Sequence, residues 1–398
     1  MRNNANPKSD WDGAAVSLRG VSKSYDNKRN AVTQVSLEVM RGEFVVLLGP
    51  SGSGKSTIVR AIAGIERISG GTISIFGTTV AADGRHVNPE DRGISMVFGD
   101  YALWPHMSVL DNVAFALKRN KADAKTRRLQ AGETLAKVGL GSKADRFPAE
   151  LSGGEQQRVA LARALVAHSG LILFDEPLSN LDSDLRENLR IEIATLTREC
   201  NATVIYITHD QSEAFALADK IGVLKDGRLV QYGVPEDIYE SPADSFIAHF
   251  TGIAGEVRGI ACGITPEGLL QVDVPGLRRS VLARPVEPIS RGQRVRIAIR
   301  PAAVSMEATL VATTDIARVA DVAYRGRGYE HAVTIGEHVL SSVFSAKRVP
   351  RGSGVELSLD PRGCLAFCDH DNSELRLAET RIDSAAADFE PGYQEAVI

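Results

Sequence analysis

Leu151-Ser-Gly-Gly-Glu-Gln-Gln157 runs straight into Arg158-Val-Ala-Leu-Ala-Arg-Ala-Leu165, and this stretch decides how the whole chain reads. Ser152, Gly153 and Gly154 open a helix, so unpaired backbone N–H groups and the positive end of the helix dipole gather at an anion-binding terminus. Upstream lies Gly49-Pro-Ser-Gly-Ser-Gly-Lys-Ser56, and downstream Leu171-Ile-Leu-Phe-Asp-Glu-Pro177. The upstream loop alone announces a phosphate cradle that many unrelated proteins share. The order of the three segments narrows the reading.

The chemistry of each segment follows from its residue types. Glu43-Phe-Val-Val-Leu-Leu48 is a continuous apolar run, as expected of a central strand buried on both faces, and it ends where the loop begins. Gly49, Gly52 and Gly54 let the backbone wrap closely around phosphates. Lys55 opens the next helix, expected to run through Ile65. Its ammonium should reach the β- and γ-phosphates while the Ser56 hydroxyl ligates Mg²⁺. Asp175 ends a second apolar strand, so its carboxylate emerges beside the loop and can hold Mg²⁺ through water. Glu176 is next along and points differently. His209, in Tyr206-Ile-Thr-His-Asp210, follows a third such strand.

Taken in this order, the motifs resemble the ATP-binding-cassette family. The resemblance is dense across residues 15–252 and looser across 255–368. It implies an α/β P-loop ATPase core with an antiparallel β subdomain and a helical subdomain, followed by a smaller all-β, OB-like barrel domain. It implies ATP and Mg²⁺ as ligands, with Ser56 and Asp175 on the metal. Glu176 resembles the general base that polarises the attacking water, and His209 the switch histidine at the γ-phosphate. The nucleotide set becomes Tyr25, Gly49, Pro50, Ser51, Gly52, Ser53, Gly54, Lys55, Ser56 and Thr57, with Tyr25 stacking on adenine. In the family, Ser152, Gly153, Gly154 and Gln156 address the ATP held by another subunit. One chain then carries two half-sites that cannot meet each other, and a dimer follows. Ser179-Asn-Leu-Asp182 resembles the D-loop that couples the two sites.

Composition bounds the alternatives. The 398 residues suffice for two domains with their own cores, and 43% hydrophobic with 24% charged residues is ordinary globular usage. A net charge of −4 with no basic stripe argues against nucleic acid as a partner. No run approaches the roughly 18 apolar residues that span a bilayer, and the N-terminus is polar. The expected place is therefore the cytoplasmic face of the cell membrane, held there by partners. Those partners are a second ATPase subunit, transmembrane permease subunits and, indirectly, a periplasmic or lipid-anchored solute-binding protein. Cys200, Cys262, Cys364 and Cys368 show no disulfide framework. Cys364 and Cys368 with His370 form one candidate ligand short of a structural zinc set, and small apolar fillers are the simpler reading.

The expected organisation is a disordered leader over 1–14, the ATPase domain over 15–237 with its helical subdomain near 99–170, and a connecting segment over 238–254. A β domain over 255–368 and an acidic tail over 369–398 complete it. Beyond residue 255 the helical period gives way to short alternating strands punctuated by glycine and proline. Val295-Arg-Ile-Ala-Ile-Arg-Pro301 and Ala320-Asp-Val-Ala-Tyr-Arg-Gly326 resemble elements of the transport-associated (TOBE) barrel of importer ATPases, which opens the possibility of two related barrel halves.

Function then reads as the ATP-hydrolysing subunit of a bacterial importer. Wording around Trp104 and Pro89-Glu-Asp-Arg92 leans toward ferric-iron, polyamine or phosphonate uptake rather than sugars. A soluble cassette acting on DNA or ribosomes is the rival from another class. The absence of coiled-coil heptads and of a second cassette speaks against it. A third reading, a catalytically weakened regulatory subunit, rests on one departure. After Ile94-Ser-Met-Val-Phe98 the family nearly always has glutamine, and this chain has Gly99. On side-chain chemistry alone, Gly99→Gln should restore an amide near the metal and the water and raise the partner-stimulated rate. Asp100 offers a substitute one residue out of register.

Overall fold

The chain divides into two compact units, residues 1–243 and 244–398. The computed structural model describes residues 13–25, 30–118, 122–179, 181–275, 277, 280–308 and 317–369. The expected leader and tail, His370 and Asn180 of the D-loop lie outside the described residues, apart from positions 13, 14 and 369 at the edges.

The first unit opens with β1 (Ala14–Ser24) and β2 (Asn30–Met40), paired antiparallel with Leu18 opposite Leu37. Buried Val32 and Val35 lie three apart rather than two, because Gln34 takes a left-handed backbone (φ 52°) between them. That irregularity keeps both side chains on the core face. β3 (Phe44–Leu48) is buried at every residue. α1 (Lys55–Ala63) stops two residues short of the expected Ile65, because Gly64 adopts φ 86° as the helix cap. β4 (Gly70–Ile75), β5 (Thr78–Ala82) and β6 (Arg85–His86) complete an antiparallel sheet of order β2-β1-β4-β5-β6.

β7 (Ser95–Phe98) leads into the helices α2 (Val109–Phe115), α3 (Ala124–Lys137) and α4 (Gly153–Val166). Then follow β8 (Leu171–Asp175), α5 (Ser183–Glu199), β9 (Thr203–Thr208), α6 (Gln211–Leu217), β10 (Lys220–Lys225), β11 (Arg228–Gly233) and α7 (Pro235–Glu240). The central sheet runs β11-β10-β3-β9-β8-β7, parallel except at β11. β8 and β9 are buried throughout, which is why they read as unbroken apolar runs. The β10–β11 turn has Asp226 at φ 48° and Gly227 at φ 77°, the paired left-handed conformations of a tight hairpin.

Asn112 on α2 ties the segment ahead of that helix. It is fully buried, accepts from Trp104 N–H at 2.9 Å, and donates to the carbonyls of Trp104, Met107 and Ser108 at 3.1 Å each. Alanine would take this partner from the Trp104 N–H and the Met107 carbonyl, and leave the Trp104 and Ser108 carbonyls with only their backbone bonds from Met107 and residue 112. We expect Asn112→Ala to lose about 3 kcal/mol, and the unfolding midpoint to fall by roughly 6 to 12 °C in a thermal melt. An unchanged midpoint would mean water replaces the amide.

The second unit starts with α8 (Ser245–Phe250) and β12 (Gly255–Ile264). β13 (Leu270–Asp273), β14 (Val281–Pro285), β15 (Arg294–Ile299) and β21 (Cys364–Cys368) close a barrel with β12, in the order β12-β13-β14-β21-β15. Between β15 and β21 in sequence, a separate five-stranded sheet forms in the order β16-β20-β17-β18-β19. Its members are β16 (Val304–Ala308), β17 (Ala317–Tyr324), β18 (Tyr329–Ile335), β19 (His338–Ser345) and β20 (Gly354–Leu359). The possibility of two barrel halves thus resolves into one closed barrel and one five-stranded sheet. Cys364 and Cys368 sit buried at the two ends of β21, and burial pushes the Cys364 thiol up to about 12.

Candidate functional site

Open parallel sheets place ligands at the carboxyl ends of their strands. Here β3 ends at the Gly49 loop, β8 ends at Asp175, and His209 follows β9. In the loop, Gly49 and Gly54 hold φ 156° and 97°. A Cβ at Gly49 would come within 2.3 Å of the Leu224 carbonyl oxygen, and one at Gly54 within 2.6 Å of that of Ala31. Only glycine fits either position. Gly52 is different: a Cβ there would meet nothing within 4 Å, so the loop is open on that side.

Lys55 is 4% exposed and donates to the carbonyls of Gly49 at 2.7 Å and Pro50 at 2.9 Å. Burial pulls its pKa below the ordinary lysine range, and the nearby Glu176 and Asp175 carboxylates offset part of that pull. Among the described residues, Ser53 Oγ is buried without a hydrogen-bond partner. An orphaned hydroxyl, a buried ammonium and an open loop edge suit a chain of phosphates.

Ser56 Oγ donates to Asp175 Oδ1 at 2.9 Å, and Arg60 lies 3.4 Å from Asp175 Oδ2. Two hard oxygen donors side by side fit Mg²⁺, which takes one or two protein ligands and shares the rest with phosphates and water. Among the described residues no three His, Cys, Asp or Glu side chains form a metal cage of their own.

Glu176 has a left-handed backbone, φ 50°, rare for a residue with a side chain and recurrent at active sites. Its N–H donates to the Ile207 carbonyl at 3.2 Å, and its carboxylate lies 3.4 Å from His209 Nδ1. Tyr25 is 59% exposed, with its hydroxyl 3.5 Å from Thr57 Oγ1 and the Lys23 ammonium 4.7 Å from its ring centre. An exposed aromatic ring beside the loop can stack on a base.

The second half-site stands apart. Ser152 caps α4, and its N–H donates to Glu155 Oε2 at 3.1 Å in a capping box. Glu155 also pairs with Lys143, which holds its carboxyl below the ordinary range. Gly153 is exposed, whereas a Cβ on Gly154 would strike the Leu185 side chain at 2.8 Å. Gln156 donates its amide to the carbonyls of Pro148 at 3.0 Å and Leu151 at 3.3 Å, bracing its own loop. Among the described residues, no hydrogen bond or ion pair joins 152–156 to 49–57.

Two arginines escaped the sequence reading. Arg163 of α4 donates to the carbonyls of Ala102 at 2.6 Å and Tyr101 at 2.8 Å, and lies 5.0 Å over the Trp104 ring. It clamps a turn whose two residues have φ 63° and 44°. Arg186 of α5 donates to the Leu181 carbonyl at 3.0 Å and reaches Asp210 at 3.5 Å, joining the expected D-loop to the residue after His209. Positive charges inside the helical stretches Arg158–Leu165 and Ser183–Glu199 were the available signal.

The ABC transporter family profile matches residues 32–179. The spermidine/putrescine import ATP-binding protein PotA of Marinobacter nauticus is 39% identical over 331 residues, covering 83% of this chain and 87% of that protein. The chain belongs to the ABC transporter family. As a cassette of this family it is an ATPase, and the phosphate loop and Asp175–Glu176 share one end of its sheet. The Fe(3+) ions import ATP-binding protein FbpC of Rhizobium etli is 40% identical over 351 residues, 87% of this cassette and 96% of that protein. The sn-glycerol-3-phosphate import ATP-binding protein UgpC 1 of Rhizobium johnstonii is 42% identical over 307 residues, 76% and 81% of the two chains. Among the described residues no helix is long and apolar enough to cross a membrane.

Proposed function

We propose that this chain energises solute import as one of two ATPase subunits docked on a membrane permease. The observation that carries the reading is the convergence of Lys55, Ser56, Asp175, Glu176 and His209, with the Ser152 helix start standing apart from them. Lys55 and the loop amides hold the β- and γ-phosphates, Tyr25 stacks on adenine, and Ser56 with Asp175 would hold Mg²⁺. The metal, when bound, neutralises charge between the phosphates. Glu176 takes a proton from water as its oxygen attacks the γ-phosphorus. The bond to the bridging oxygen breaks, and ADP and phosphate leave. His209 steadies the γ-phosphate. The Ser152–Gly154 terminus completes the ATP site of a second copy, which makes a homodimer the working unit.

The solute is small, and the leaning is toward ferric iron, polyamine or phosphonate. The relatives are named for solutes as different as spermidine, Fe(3+) and glycerol 3-phosphate, which fits an ATPase that never touches its cargo. Uptake of each labelled solute in cells with and without this chain tests the reading. Uptake unchanged for every solute tried, phosphonates included, would count against import.

The closed barrel of the second unit supports the OB-like, TOBE-type reading, and its expected task is to bind a partner or regulator. Every nucleotide motif precedes residue 252. A chain ending at Gly252 should therefore bind ATP within about threefold of the full-length affinity by calorimetry, a difference of under ~1 kcal/mol. A folded truncation without nucleotide affinity would overturn this division of labour.

A further inference from the structure

We infer that Lys23 is a positioning residue for the nucleotide base: its ammonium closes one face of the Tyr25 ring and, through Glu66, ties that ring to the helix that follows the phosphate loop. The inference rests on the reading of Tyr25 as the stacking partner of adenine. The Lys23 ammonium lies over the ring, 4.7 Å from its centre, within the reach of a cation–π contact. It also pairs with Glu66 Oε2 at 3.1 Å. Both side chains are largely withdrawn from water, at 13% and 25% exposure, which sets them apart from the usual surface ion pair of little consequence.

Glu66 is itself anchored. Its N–H and that of Ile65 donate to the Arg60 carbonyl at 3.2 and 2.9 Å, which folds both residues back on the last turn of α1. A little further on, Ser69 N–H donates to the Ser22 carbonyl at 2.7 Å, and Ser69 Oγ accepts from Ser24 N–H at 3.0 Å. The backbone on either side of Lys23 is thus fastened to the segment that leaves α1. At the other end of that helix, Thr57 Oγ1 stands 3.5 Å from the Tyr25 hydroxyl. The ring is therefore referenced to both ends of α1, whose first turn carries Lys55 and Ser56. With a cation seated on one face, a base can stack only on the other. A ring already held in place also binds without the cost of being ordered.

Lys23→Met keeps the length of the side chain and removes its charge. In the purified full chain, its ATP Kd and KM should rise roughly 3- to 10-fold, the scale of losing one partly desolvated cation–ring contact, while kcat stays within about twofold. Affinity for tripolyphosphate, which offers phosphates without a base, should not change. In a Tyr25→Ala background, Lys23→Met should weaken ATP no further, because the ring through which it acts is gone. Calorimetry with ATP and with tripolyphosphate in the absence of Mg²⁺, steady-state ATPase assays and thermal melts supply these readouts. Lys23→Met with wild-type ATP affinity overturns the inference. So does an equal loss for both ligands, which would make the Lys23–Glu66 pair a brace for the phosphate loop. If Lys23→Met does not fold, Glu66→Gln, which frees the ammonium from its anchor, should weaken ATP and spare tripolyphosphate. The same two outcomes in that variant overturn the inference. Tyr25→Ala run in parallel separates the two claims. Wild-type ATP affinity in that variant refutes the stacking itself, whereas a weakened Tyr25→Ala beside an unaltered Lys23→Met refutes the role of Lys23 alone.

Discussion

Glu176→Gln should bind ATP with wild-type affinity and hydrolyse it at least about 10²-fold more slowly, the usual loss when a positioned base is removed. The substitution keeps the shape of the side chain and its capacity to accept a hydrogen bond, but an amide cannot take a proton from water. The backbone that aims residue 176 is independent of the side chain. It is fixed by the hydrogen bond to Ile207 and by the two from Ser179. The variant should therefore fold and load nucleotide normally. With hydrolysis blocked, ATP stays between the Gly49 loop of one copy and the Ser152 terminus of the other, and the closed pair persists. Light scattering on a sizing column should show the mass double with ATP and not with ADP. A variant that turns over at the wild-type rate would remove Glu176 from the role of base.

The parts of this site that could be read from sequence are those whose physics is local. A loop that wraps phosphates needs glycines at fixed intervals, and Gly49 and Gly54 proved to be positions where backbone oxygens leave no space for a Cβ. Strands buried on both faces cannot alternate, so β3, β8 and β9 stood out as apolar runs, with their ends marking the site. Asp226–Gly227 is an Asp–Gly pair of the kind a tight hairpin selects, because its turn demands left-handed backbone at both residues.

What escaped depends on distant partners. β21 closes the barrel by lying antiparallel to β15 and parallel to β14, pairings that nothing in Cys364–Cys368 foretells. Arg163 and Arg186 look like ordinary helical charges until the fold brings the carbonyls of Tyr101, Ala102 and Leu181 to them. Gly99 was legible as a departure from the glutamine expected there, and its setting against the Glu176 carbonyl, 2.9 Å from where a Cβ would stand, was not.

Lys55→Ala should fail in a different way from Glu176→Gln, losing nucleotide affinity as well as turnover. The ammonium is held by the Gly49 and Pro50 carbonyls at 2.7 and 2.9 Å, almost wholly buried, with two carboxylates opposing the pull of burial. Such an arrangement keeps a charge ready in a place poor in water, where its interaction with phosphate is strong. Alanine removes the donor from both carbonyls and leaves Asp175 and Glu176 without their nearest buried counter-charge. Repulsion between those carboxylates and an incoming polyphosphate then rises, although Arg60 at 3.4 Å from Asp175 still offsets part of it. We expect ATP affinity to fall at least about tenfold and hydrolysis by roughly 10²- to 10³-fold, the range for losing one preorganised group at developing charge. Arginine should not rescue it, because a planar guanidinium cannot occupy the compact space of an ammonium between two carbonyls. Calorimetry with ATP, ADP and AMP separates the causes. A lysine serving the β- and γ-phosphates makes the loss large for ATP, smaller for ADP and negligible for AMP. An equal loss for all three would mean that the loop had collapsed and that Lys55 acts as its structural clasp.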